Sequence, residues 1–456
     1  MRFLPRAAFA AALLAPTIAM AQLAPIAGDW YGTLDAGGQK LPVVFHIKPD
    51  GSATLDSPAQ HAMGLAATAT LVDGKMRLAL QAIPASFEGT VSPDGKTLNG
   101  VWGQNGGGAP LTMSRTAPAV AAAPKRPQTP RPPFPYRAED VTYVNPASGL
   151  KLAGTLTLPQ GAGPFPVALL STGSGQQDRD ETIFDHKPFL LIADALTRKG
   201  VAVLRVDDRG VGGSQAGDLV KATTADFATD VAAGVAFLRG RKDVDPDRIG
   251  LIGHSEGGII VTMVAAKDPR IAFVVLLAAP GVDGETLLLS QAEAIEQAAG
   301  APAAQREASR ARRKAWFDTV LSEPDGAKAR TKLEALSEAQ KLPPAARAQV
   351  TALALPWWRF ALGFQPADYL KNVRAPVLAL GGAKDLQVPA TENLAAIKAA
   401  LPATTEATTR ELPGLNHLFQ TARTGLVSEY GQSEETMAPA ALSILIDWTV
   451  AHAAPR

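Results

Sequence analysis

The sequence contains no cysteine. That excludes thiolate nucleophiles, zinc-thiolate sites, iron-sulfur clusters, disulfide staples and any lipoprotein anchor that needs a cysteine at the cleavage point. Histidine is sparse. His46, His61, His186, His254, His417 and His452 stand singly, and none has a partner four residues on, the spacing by which one helix presents two imidazoles to a metal. A metal centre is therefore not expected. Charge of one sign is lacking too: 44 Lys and Arg face 43 Asp and Glu, so no bulk field draws nucleic acid or an anionic membrane. Beyond the first twenty residues there is no apolar run of membrane-spanning length free of charges. With 46% hydrophobic and 19% charged residues over 456 positions, the chain is rich enough in apolar side chains to fold as two or three units.

What is present begins with an export pattern. Arg2 and Arg6 precede the apolar stretch 7–18, and Ala19-Met20-Ala21 supplies the small-x-small motif of a cleavage site. The run is short for a span and is broken by Pro16, so it reads as a signal peptide over 1–21 and places the mature protein in the periplasm or outside the cell, with no membrane anchor. Residues 22–116 alternate short β-type runs with Gly, Asp and Pro, and Asp73-Gly74 and Asp94-Gly95 sit where hairpin turns need positive φ. A small antiparallel β domain is expected, its core closed by Trp30 and Trp102. Seven prolines between Pro118 and Pro135 mark 117–137 as an extended linker.

From 138 to 456 the pattern changes to continuous apolar strands alternating with helical stretches, as in a mostly parallel sheet with helices on both faces. Candidate strands are Val167–Ser171, Val201–Val206, Ile249–Ile252, Phe273–Leu277 and Val377–Leu380. Directly after the third comes Gly253-His254-Ser255-Glu256-Gly257, followed by the helical run from Gly258 to Ala266. A bare Gly-x-Ser-x-Gly is a weak signal, but between a strand and a helix it is a nucleophile elbow, with Ser255 on a sharp turn and the helix N-terminus aimed at developing negative charge. A serine hydroxyl needs a base. Of the two histidines that follow, His452 lies among the last residues, whereas His417 sits in a loop after the strand-like stretch 405–412. His254 beside the serine reads as packing behind the elbow. Asp385, just past the strand Val377–Leu380, is the acid expected to orient His417; Glu392 and Glu411 are less suited, one on a helix and the other inside a strand. The oxyanion donors expected are the backbone N–H of Glu256 and one from the loop Thr172-Gly173-Ser174-Gly175, with Ser174 favoured over Gly173 or Gly175.

Together these residues resemble the α/β-hydrolase superfamily over about residue 140 to the C-terminus. More narrowly, the chain is similar to exported bacterial serine esterases with a small β-rich domain ahead of the hydrolase, in which a His-Gly-Ser-Gly loop runs into Asp-Arg-Asp. Here Thr172 replaces that histidine and Asp178-Arg179-Asp180 follows; how Thr172 buttresses the loop is open. Asp207-Asp208-Arg209-Gly210 matches another loop of the superfamily and reads, like 178–180, as turn and ion-pair structure. About 281–371 is expected to form a helical cap, in which Arg306, Arg310, Arg312, Arg313 and Lys314 form a solvated face, and Trp357, Trp358, Phe360 and Phe364 line either the cap core or a substrate pocket. The fold class expected is thus α/β, an α/β-hydrolase sheet with a helical cap preceded by a small antiparallel β domain. The function expected is carboxylic ester hydrolysis of a small-molecule substrate, needing no cofactor or metal and no nucleic-acid partner. The alternatives are a peptidase or amidase of the same superfamily, which calls for Glu293 or Glu296 to turn inward for a free amine, and a binding protein with a vestigial triad.

Overall fold

The computed structural model describes residues 26–36, 39–57, 62–80, 85–104, 107–117 and 124–455, together with Leu23. The expected signal peptide lies outside the described residues. Two compact units are present, one holding the N-terminal β region and the other running from Pro124 to the C-terminus apart from 341–348.

In the first unit β1 (Gly28–Ala36), β2 (Gln39–Ile47), β3 (Ser52–Ser57), β4 (Ala62–Val72), β5 (Lys75–Leu80), β6 (Ala85–Val91), β7 (Thr97–Gln104) and β8 (Gly107–Ser114) pair antiparallel in sequence order, and β1 meets β8 to close a barrel. Closure leaves no free sheet edge. Asp73 and Gly74 both take positive φ between β4 and β5, the conformation a two-residue hairpin with the twist of its strands requires. Inward positions alternate along each strand, and Trp30, Phe45, Phe87 and Trp102 fill the interior, with Phe45 and Phe87 edge to face at 5.5 Å.

The second unit is built on an eight-stranded sheet of β9 (Arg137–Val144), β10 (Lys151–Leu158), β11 (Phe165–Ser171), β12 (Ala202–Val206), β13 (Val244–His254), β14 (Val274–Leu277), β15 (Val377–Gly382) and β16 (Ala407–Leu412). The spatial order is β16-β15-β14-β13-β11-β12-β10-β9. Pairing is parallel from β12 to β16 and antiparallel only where β10 joins β12 and β9. Alternation along β11 explains the layers. Val167 and Leu169 point to one face and pack with α2 (Thr224–Arg239), α3 (Glu256–Ala265) and α10 (Ala390–Ala400), whereas Ala168 and Leu170 point to the other and pack with α1 (Pro188–Arg198) and α11 (Pro439–Ala453). Both faces are covered, so the central strands carry unbroken apolar runs. β9 and β10, absent from the strands expected above, extend the sheet at one edge. Between β14 and β15 the chain runs through six helices, α4 (Gly284–Ala298), α5 (Ala303–Ser322), α6 (Gly326–Ala339), α7 (Pro344–Ala352), α8 (Pro356–Gly363) and α9 (Pro366–Leu370).

The proline-rich stretch differs from the free spacer expected over 117–137. From Pro124 on it belongs to the second unit. The Arg126 guanidinium donates to the carbonyls of Phe184, Gly431 and Ser433, and Gln128 donates to Met437 O while accepting from the backbone N–H groups of Thr436 and Met437. An extended chain exposes unpaired backbone groups on both sides, and these two polar side chains convert part of it into a bound strap.

Candidate active site

The sheet order places the site. β11 leads by a crossover to β12 on one side, and the next crossover returns to β13 on the other, so the loops after β11 and β13 leave adjacent strands in opposite directions. Such a switch point at the carboxyl ends of parallel strands opens a crevice. Ser171 at the end of β11 is in register with Gly253 near the end of β13, which brings the 172–175 loop beside Ser255.

Ser255 has φ 53° and ψ −120°, a left-handed backbone rare for a side chain larger than glycine. The flanking glycines have a steric reason. A Cβ on Gly257 would run into the carbonyl oxygens of Ser171 and Thr172, and one on Gly253 into the backbone of Gly257. Strand, turn and helix therefore approach more closely than any other residue permits. The backbone N–H groups of Glu256 and Ser174 make no hydrogen bond among the described residues, and both residues line the same cavity as Ser255. Gly173, the other loop position considered, gives its N–H to Glu181 Oε1 at 2.8 Å.

Asp385 and His417 come from the ends of the next strands along. Asp385 Oδ2 lies 2.8 Å from His417 Nδ1, and Oδ1 accepts the backbone N–H groups of Gln387 and Val388. Both residues are 4% exposed. Because a carboxylate oxygen accepts, Nδ1 donates and Nε2 is left with its lone pair, the tautomer a general base needs. The carbonyls of Leu415 and Asn416 pass so close to Gly382 that a Cβ there would collide with them, which keeps the base loop down on β15. Ser255 Oγ and His417 make no direct hydrogen bond in this structure; in enzymes of this type that bond is often long until substrate is bound. Glu392 stands on α10 and Glu411 in β16, where it accepts from Thr391. His452 bonds Glu406 and stacks on Trp448.

A cavity of about 210 Å³ adjoins Ser255, and Trp357, Trp358 and Phe360 line it. The two tryptophans meet edge to face at 4.9 Å. Glu256 ties this wall to the elbow: its Oε1 accepts from Thr224 Oγ1 at 2.6 Å and from Trp357 Nε1 at 2.8 Å. Burial pushes the Glu256 carboxyl above its usual range. The basic stretch of α5 is a solvated face only in part: Arg310, Arg312 and Lys314 are exposed, but Arg306 and Arg313 are half-buried, and Arg310, Arg313 and Lys314 pair with Glu293, Glu296 and Glu285 of α4. Glu293 and Glu296 are thus engaged with arginines and do not line the cavity. Among the described residues no group of three His, Cys, Asp or Glu side chains is arranged to hold a metal ion.

Thr172 buttresses its loop through Asp208, whose carboxylate accepts from Thr172 Oγ1 at 2.9 Å and from the Gln177 N–H at 2.9 Å. Arg179 binds Asp207 and Arg205 binds Asp180, so these charges form the ion-paired turns read from the sequence. Residue identity alone did not reveal three further contacts: Glu181 with His254, Glu256 with Trp357, and Thr172 with Asp208. Each joins positions far apart in the chain, and no local spacing signals them.

Burial pushes Asp208 up to about 7. A carboxyl raised in the folded state stabilises fully below its unfolded value near 3.9, and that contribution is lost as pH rises through about 7. Asp208→Asn does not titrate. In urea unfolding, the variant should therefore gain about 1–3 kcal/mol on the wild type between pH 5 and pH 8. Parallel pH dependence of the two proteins would contradict an Asp208 that is protonated at neutral pH.

The X-Pro dipeptidyl-peptidase (S15 family) profile matches residues 148–409, more than half of the chain and nearly all of the sheet. The chain belongs to this family. As an S15-family member it belongs to the α/β-hydrolase superfamily, and its barrel lies ahead of the matched region in the sequence. Among its relatives, "Esterase EstD" of Thermotoga maritima is 33% identical over 163 residues, 35% of this chain and 36% of that protein. "Putative hydrolase YtaP" of Bacillus subtilis is 31% identical over 144 residues, 28% of this chain and 48% of that one. The chain thus spans about a third and about half of these two relatives. Among solved structures, the α/β hydrolase GrgF from Penicillium sp. sh18 is similar with a TM-score of 0.46 and 18% identity, covering 69% of this chain and 99% of that one.

Proposed function

We propose that this S15-family protein hydrolyses carboxylic esters through an acyl-enzyme on Ser255. The observation that carries the reading is the Asp385–His417 pair, buried and bonded at 2.8 Å, on the strand edge that also presents Ser255 in its strained turn. In this reading Ser255 Oγ attacks the ester carbonyl as His417 Nε2 takes its proton. The N–H groups of Glu256 and Ser174 receive the negative charge on the carbonyl oxygen. His417 then returns the proton to the departing alkoxide, leaving Ser255 acylated, and water repeats the sequence to release the acid. Asp385 stays ionised and stabilises the imidazolium. No step calls on a cofactor.

The cavity supports a small apolar group. At about 210 Å³ it lies below the roughly 300–1,000 Å³ of pockets that enclose drug-sized ligands, so short to medium acyl chains or a single ring fit it best. The family match favours a second reading, cleavage of the peptide bond after an X-Pro pair. Against it, the three carboxylates of α4, Glu285, Glu293 and Glu296, are paired with Lys314, Arg310 and Arg313, and none of them lines the cavity. p-Nitrophenyl esters of graded acyl length and X-Pro p-nitroanilides separate the two. Esters should turn over faster, with the optimum at short to medium chains; faster anilide cleavage would establish the peptidase reading instead. The export signal read in residues 1–21 makes a periplasmic or extracellular site part of this proposal; among the described residues no helix is long and apolar enough to cross a membrane.

A further inference from the structure

Three hydrogen bonds within the protein converge on two side chains that the mechanism above does not use. Glu181, on the loop after β11, is 1% exposed, and its Oε1 accepts the Gly173 N–H at 2.8 Å. The same oxygen lies 2.8 Å from His254 Nδ1. On the far side of its ring, His254 sets Nε2 3.1 Å from the backbone carbonyl of His417. A carbonyl only accepts, so Nε2 carries a proton, and Nδ1 faces the Glu181 carboxyl, a pairing that favours an imidazolium. Burial disfavours that charge most, but Glu181, the His417 carbonyl and Asp385 together outweigh it and raise the His254 pKa above the ordinary histidine value. The ring centre lies 4.7 Å from that of His417.

We propose that Glu181 and His254 are a positioning pair that sets the oxyanion loop and the base loop against one another across the nucleophile. This rests on the serine hydrolase reading of Ser255 and His417. The pair reaches both halves of the machinery by single bonds, to Gly173 beside Ser174 and to His417 itself. Misplacing either half by about 1 Å costs on the order of 100-fold in rate.

The charge has a second consequence. A charged His254 ring puts positive charge 4.7 Å from the His417 ring centre, across from the Asp385 carboxylate bonded to His417 Nδ1. The other titratable groups nearby are Tyr430, beside Asp385 and the His417 backbone, and Asp208, which faces Glu181 from the loop after β12 and Glu256 on its other side. Beside Glu181 and His254, the small cavity they border is lined by apolar side chains, among them Phe189, Leu277, Leu418 and Met437. Removing that charge alone should move the acidic limb of ester turnover to higher pH.

The test is the pH profile of ester turnover for wild type, Glu181→Gln, His254→Gln and the double variant, with melting temperature recorded for each. His254→Gln keeps a donor for the His417 carbonyl but loses the charge and the bond to Glu181. It should lower kcat about 10- to 100-fold with KM within about threefold, and move the acidic limb of kcat/KM upward by about half a unit or more. The double variant should return the limb toward wild type while kcat stays low. If His254→Gln does not fold, Glu181→Gln, which keeps an acceptor for Gly173, should still lower kcat at unchanged KM. Wild-type kcat and an unmoved limb in folded variants overturn the proposal, as does a fall in melting temperature with kcat untouched. Labelling wild type with a fluorophosphonate separates this failure from that of the underlying reading: a wild type that is neither labelled nor active removes both, whereas an active, labelled wild type with indifferent variants removes the pair alone.

Discussion

Ser255→Ala should abolish ester turnover, lowering kcat by about 10⁴- to 10⁶-fold, while leaving substrate affinity and the fold intact. The lost atom is the nucleophile, and nothing nearby replaces it. The oxyanion N–H groups belong to the backbone, and the aromatic cavity is built from α8 and the start of α4, so binding should survive. Stability should hardly change, because alanine keeps the same strained φ of 53° and the hydroxyl it loses has no hydrogen bond among the described residues. Ser255→Gly is the informative companion. It removes the nucleophile and also relieves the backbone, and should melt higher than Ser255→Ala by an amount corresponding to about 1 kcal/mol. Steady-state rates on a p-nitrophenyl ester and calorimetric melting of the three proteins decide the matter. If Ser255→Ala kept a tenth of the wild-type rate, the acyl-enzyme reading would be finished.

Asp385→Asn should be nearly as severe, about 10⁴-fold in kcat, through a different cause. The carboxylate spends one oxygen on the N–H groups of Gln387 and Val388, and an asparagine carbonyl can keep that role. Its amide NH₂ then faces His417 Nδ1, and a donor there forces Nδ1 to become the acceptor and moves the ring proton to Nε2. The base would then present a proton to Ser255 in place of a lone pair. The loss should be confined to kcat with an unchanged fold, and should ease at high pH, where hydroxide takes over as base. Near-wild-type kcat in a folded Asp385→Asn would show that another group orients the imidazole.

How much of this was legible follows from where each constraint is written. The elbow was, because a serine held in a left-handed turn between strand and helix leaves room only for glycine at 253 and 257, and that shortage of space appears in five consecutive letters. Asp385 and His417 were legible as loop residues, the first after the apolar run that proved to be β15 and the second after the strand-like stretch that proved to be β16. The aromatic wall could be named but not located; Trp357, Trp358 and Phe360 suited a cap core as well as a cavity until their positions beside Ser255 were known. The antiparallel β9 and β10 escaped notice, since β9 is an exposed edge strand and β10, though buried, interleaves Gly154, Thr155 and Thr157 with its apolar residues, so neither carries the continuous apolar signature of a central strand.

The amino-acid sequence by itself determined the types of chemistry open to this protein: no thiolate, a serine nucleophile in a glycine-flanked turn, and a β unit ahead of an alternating α/β unit. Those are local properties, set by sterics and hydrophobic periodicity within a few residues. Tertiary structure alone decided which groups meet. Glu181 and His254 are 73 positions apart and Glu256 and Trp357 are 101 apart. They touch because the sheet reverses its strand order between β11 and β13, and because buried polar groups must find partners wherever the chain brings them.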